Sequence, residues 1–146
     1  MNNDENPKPY DLEDRTLAFA KDIRVFIKSL KMTIANVEDV KQLVRASGSV
    51  GANYIEANEN LGKKDFLMKL KTCRREAKEC RYWLALPDIE DRVAKEHNRL
   101  RRESDELMKI FGAIVRKCEQ SPGFEFGVSL IRYCFGFRDS RFVLSK

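Results

Sequence analysis

The chain has 146 residues, 42% hydrophobic and 35% charged, with only 7 Gly and 4 Pro. That balance suits a single domain with one core and excludes a chain that is disordered overall. No run approaches the roughly 20 apolar residues of a membrane span, and the net charge of +5 makes an anionic partner worth testing without naming one. The opening residues MNNDENPKPYDLEDR are polar and partly acidic, unlike a secretory signal. The four cysteines, Cys73, Cys80, Cys118 and Cys134, form no CxxC pair. They read as reduced thiols of a cytoplasmic protein.

Residues 1–10 read as a flexible lead. Asp11 is an N-cap, followed by Glu13 and Asp14 where acids favour a helix start. Leu12, Thr16, Phe19, Ile23, Phe26, Ile27 and Leu30 then recur at three- and four-residue steps, which predicts a first helix over about 11–30. After the connection KMTIA, Asn36 is the next expected cap. The second helix spans about 37–59, with Val40, Leu43, Ser47, Val50, Tyr54 and Ala57 on one stripe, and Asn60 and Gly62 end it. A third helix, about 63–86, carries Phe66, Leu70, Cys73, Ala77, Cys80 and Leu84, and Pro87 stops it. The fourth starts between Ile89 and Asn98 and carries Leu100, Ser104, Leu107, Phe111, Ile114 and Cys118. Nothing in residues 11–118 alternates with period two. The fold class is therefore all-α, an antiparallel up-down-up-down four-helix bundle. From Glu119 to Lys146 the chain is aromatic and glycine-rich without helical period. It reads as a disordered or weakly structured extension, with a short hairpin or strand as the alternative.

The second helix carries Gly48 and Gly51 in its middle, each costing close to ~1 kcal/mol relative to alanine. Ser47 and Gly51 lie together beside the core stripe, and Gly48 and Ala52 form a second pair turned further round. Small residues four apart allow close helix approach, by analogy with membrane helices. One pair can serve the core, and the second suggests a further neighbour such as another subunit.

The third helix holds eight basic residues, Lys63, Lys64, Lys69, Lys71, Arg74, Arg75, Lys78 and Arg81, against three acids, a net +5. With Phe66 at 0° and about 100° per residue, the basic residues other than Lys69 fall between roughly 60° and 180°, and the acids between roughly 220° and 280°. A merely solvated helix usually intersperses the two signs. Such a stripe suits phosphates, and Arg101 and Arg102 of the fourth helix extend the candidate set. An acidic protein surface, including that of a neighbouring subunit, and plain solvation stay open.

Catalysis finds little support. His97, the only histidine, falls on the apolar side of the fourth helix and reads as structural. Glu56, Glu76 and Glu79 project away from the core stripes, and no Glu-x-x-His pair of a di-iron bundle occurs. Cys73 and Cys80 lack companion ligands for zinc. There is no phosphate-binding glycine loop, no GxSxG elbow and no base beside Ser47 or Ser49. The expectation is a non-enzyme without cofactor or metal.

The run RASGSVGANYIEANENLGKKDFLMKLKTCRREAKECRYWL resembles the four-helix bundle proteins encoded in intervening sequences of bacterial 23S ribosomal RNA genes. The shared elements are Gln42 and Arg45, Ser49-Val50-Gly51-Ala52-Asn53, Glu56-Ala57, Lys64-Asp65-Phe66, Lys69, Glu76-Ala77, Glu79 and Tyr82-Trp83-Leu84. DLEDRTLAFA and ESDELMKIFGAIV also fit, so the resemblance covers about residues 10–118. It departs at Gly48, where the family more often has serine, and in the tail after Cys118. The resemblance implies a ring-like homopentamer of antiparallel bundles with no established enzymatic activity and a poorly defined cellular role. A similar branch, the accessory variability proteins of diversity-generating retroelements, forms a basic pentamer that works with a reverse transcriptase and nucleic acid. The implied partners are other copies of the chain and RNA or DNA, or alternatively a protein such as a reverse transcriptase, and no membrane.

Overall fold

Asp11 caps the first helix: its carboxylate accepts the Glu13 amide at 2.8 Å, and Glu13 and Asp14 follow in the first turn, where free N–H groups and the helix dipole favour negative charge. The computed structural model describes residues 11–59 and 62–120. The lead at 1–10 and the aromatic segment from 121 onward lie outside the described residues. The order is α1 (Leu12–Ile27), α2 (Ile34–Ala57), α3 (Lys63–Ala85), one 3-10 turn at Asp91–Val93 and α4 (Ala94–Gln120).

Three boundaries differ from the periodicity. α1 stops at Ile27, and the amides of Ser29 and Leu30 bond back to Phe26 and Ile27 in tightened turns, which still bring Leu30 into the core. α2 begins earlier, at Ile34, because Thr33 rather than Asn36 is its cap and accepts the Asn36 amide at 3.1 Å. Asn36 is buried, and its side-chain amide donates to the Lys31 carbonyl at 2.7 Å, closing the α1–α2 connection. α4 runs through Glu119 and Gln120, two residues into the expected tail. α3 ends at Ala85, just ahead of Pro87.

The predicted stripes are the buried ones. Phe19, Ile23 and Phe26, then Leu43, Val50 and Tyr54, then Phe66, Leu70 and Leu84, then Leu100, Leu107 and Phe111 are each no more than 3% exposed. Each such side chain gains about 1.5–3 kcal/mol on burial. α4 also buries Ile110 and Val115, so its apolar face is wider than one stripe. Three hydroxyls inside the core are satisfied locally: Thr16 bonds the Leu12 carbonyl at 2.7 Å, Ser47 that of Val44 at 3.1 Å and Ser104 that of Arg101 at 2.7 Å. Buried polar groups so paired avoid an uncompensated desolvation cost.

The four helices form an all-α antiparallel bundle in which each packs on its chain neighbours and α4 closes on α1, and across one diagonal the Tyr54 ring of α2 meets Phe111 of α4 with centroids 5.7 Å apart. The α1–α4 seam is the lightest and carries long side-chain clamps. Arg15 meets Glu103 in a two-pronged pair at 2.5 and 2.9 Å, and Arg99 joins Asp22 at 2.8 Å.

Candidate nucleic-acid interface

Burying Phe66, Leu70, Cys73, Ala77, Cys80 and Leu84 fixes the rotation of α3. The opposite arc must then face solvent, and Lys64, Lys71, Arg74, Arg75, Lys78 and Arg81 are all exposed. All but Arg81 border an open groove of about 820 Å³. Lys64, Lys71, Arg74, Arg75 and Lys78 supply its charge, and Leu67, Met68 and Met108 supply apolar surface. Sequence reasoning missed that apolar component. Met68 and Leu67 were visible within or beside the basic arc, but Met108 arrives only through the packing of α4 on α3.

The cations are not equivalent. Lys71 pairs with Glu119 at 2.7 Å and Arg81 with Asp105 at 3.1 Å, both across to α4, while Arg75 sits 3.7 Å from Glu76 and 4.0 Å from Glu79. The hydrogen bond from Lys71 holds the Glu119 carboxyl below the usual carboxylate range. Lys64, Arg74 and Lys78 make no ion pair among the described residues, although Arg74 adds to the field at Glu119. Lys63 is half-buried in the first turn of α3 and is engaged by a partner. Arg101 is half-buried and Arg102 exposed. They lie about one turn from Asp105, beside the Arg81 end of α3, and neither lines the groove. Lys69, the basic residue outside the arc, forms an ion pair with Glu56 of α2.

The small residues of α2 serve two settings, and Gly51 takes part in both. Ser47 is fully buried, and a Cβ built on Gly51 would lie 2.9 Å from Thr16 Oγ1, so this pair admits α1. Gly48 and Ala52, together with Gly51, border a groove of about 500 Å³ between α1 and α2, beside the half-exposed Leu17 and Ile55.

Groups with chemical potential are held in structural positions. Burial pushes the Cys73 thiol up to about 12 and raises Cys80 as well, and Cys73, Cys80 and Cys118 are all buried. A thiol so placed supplies little thiolate at neutral pH. His97 is buried, donates Nε2–H to the Leu84 carbonyl at 2.6 Å and stacks on Phe26. Desolvation raises the Glu76 carboxyl, and nearby Glu79 adds to this. No cluster of three or more His, Cys, Asp or Glu among the described residues could hold a metal ion. No described helix is long and apolar enough to cross a membrane.

The family model described as 23S rRNA-intervening sequence protein matches residues 10–113. A crystal structure at 1.70 Å of a protein of unknown function from the S23 ribosomal protein family of Bacteroides thetaiotaomicron is similar, with a TM-score of 0.60 and 26% identity. The similarity covers 73% of this chain and 99% of that one. A search of the curated proteins gave no match.

Proposed function

The chain belongs to the 23S rRNA-intervening sequence protein family, and from that premise we propose that it is a non-enzymatic bundle that assembles with copies of itself and binds nucleic acid along α3. One observation carries the binding claim: the exposed face of α3 gathers cations along one groove, and Lys64, Arg74 and Lys78 have no ion-pair partner among the described residues. Phosphates would displace counterions from those side chains, so the interaction is salt-dependent and nearly blind to sequence. The buried thiols and histidine support a non-enzymatic role.

The test is fluorescence anisotropy with RNA and DNA oligonucleotides over a salt series. Each phosphate contact contributes a log–log slope of about −0.9 on duplex DNA and about −0.7 on single strands. Arg74→Gln with Lys78→Gln should flatten the slope by up to ~2 units. Both residues are exposed, so stability should change by no more than about 0.5 kcal/mol per site. Binding that ignores salt, or a double variant indistinguishable from wild type, sinks the claim.

A protein-adaptor role, for instance with a reverse transcriptase, draws on the ion pairs of Lys71 with Glu119 and Arg81 with Asp105, since they demonstrate that carboxylates can reach this flank. A partner that survives nuclease treatment, together with no binding to either nucleic acid at low salt, would favour it.

A further inference from the structure

The flank offers more than charge. Tyr82 falls at roughly 160° on the α3 wheel, inside the basic arc and one turn beyond Lys78, and is 58% exposed. Its ring meets Trp83 in a T-shaped contact, with centroids 5.0 Å apart and planes at 77°. Trp83 is half-buried and packed on the core, so Tyr82 has a fixed neighbour. In an edge-to-face pair a ring uses either an edge or one face, and at least one face of Tyr82 therefore stays open to that neighbour. In the adjoining groove, Leu67, Met68 and Met108 lie among the cations, and Met68 is 55% exposed.

A surface that alternates positive charge with apolar and aromatic area fits a ligand presenting both phosphates and flat base faces. A duplex keeps its base faces inside the stack, whereas a single strand exposes them. From Lys64 to Tyr82 the helix rises about 27 Å, room for a strand of several nucleotides. We propose that the α3 flank takes single-stranded nucleic acid, with phosphates on Lys64, Arg74 and Lys78 and an unstacked base on the Tyr82 ring. This rests on the phosphate-binding reading above and names its ligand class.

The experiment compares anisotropy titrations of three labelled probes of about 20 nucleotides, a length that covers known single-strand site sizes: a mixed-sequence single strand, the same sequence as a duplex, and an abasic single strand of the same length. Wild type should prefer the intact single strand. Tyr82→Ala should weaken that probe about 5- to 150-fold, the range of a lost base–aromatic stack, while leaving the duplex and abasic probes within about twofold. Tyr82→Phe should restore binding, and an unchanged melting temperature for both variants confirms the fold. Lys78→Gln should weaken all three probes. If Lys78→Gln acts but Tyr82→Ala is silent, or if the duplex binds more tightly than the single strand, base stacking is wrong and the phosphate reading survives. If wild type binds no probe at low salt, both fall.

Discussion

A methyl group added at Gly51 would sit 2.9 Å from Thr16 Oγ1 and 3.3 Å from Thr16 Cβ. Thr16 is buried and its hydroxyl is committed to the Leu12 carbonyl, so it has no free direction in which to give way. Overpacking of this kind costs about 1–3 kcal/mol, more than the gain of up to about 1 kcal/mol in helix propensity. At Gly48 the nearest atom of the same chain to an added methyl is Arg24 Nη2 at 3.6 Å, an ordinary contact, and within one bundle the propensity gain stands alone. Gly51→Ala should lower the melting temperature and Gly48→Ala should raise it, by about 3–4 °C per kcal/mol for a domain of this size. Thermal denaturation at one fixed protein concentration decides it, since assembly also shifts the transition. Shifts of the same sign would mean that Thr16 is not the obstacle. The α2 sequence displayed both small-residue pairs. It also placed Ser47 and Gly51 beside the core stripe, but which residue that pair would meet was not legible there, because the answer sits in Thr16 of α1.

Among the elements, the start of α2 shows where sequence reasoning runs short. Thr33 and Asn36 are both competent cap residues, and the choice between them depends on the Lys31 carbonyl, which Asn36 satisfies from a buried position. Thr33→Ala should cost about 0.5–2 kcal/mol of stability, and Thr33→Ser should recover most of it because a hydroxyl returns to the cap. Urea denaturation of the two variants measures this, and an alanine variant as stable as wild type would show that the hydroxyl bond to Asn36 contributes nothing. The core stripes of all four helices were legible because each repeats within one segment, and so was the sorting of charge on α3. The apolar part of the groove and the pairing of Lys71 and Arg81 were not. They follow from how Met108, Glu119 and Asp105 of α4 are placed against α3, and no single-helix pattern encodes that register.

For the whole molecule, the outer α1–α2 face carries the assembly claim. Leu17 and Ile55 are 52% and 49% exposed and flank the groove in which Gly48 and Ala52 leave room for a neighbour's side chains. A ring requires a head-to-tail interface, so this face on one copy must meet a different face on the next. Introducing charge on one side is then enough to break every contact in the ring. Five chains of 17.0 kDa would give about 85 kDa if the ring is closed and cyclic. Light scattering coupled to size exclusion at micromolar concentration should report that mass for wild type and a value near one chain for Leu17→Lys with Ile55→Lys. Both positions are half-exposed in the single bundle, so the variant should keep its helical circular dichroism. Dissociation should also weaken binding to long nucleic acids more than to short ones, because a ring presents five basic flanks and linked weak sites gain effective concentration. A monomeric wild type removes the assembly claim, and a double variant that holds its mass moves the interface away from the α1–α2 face.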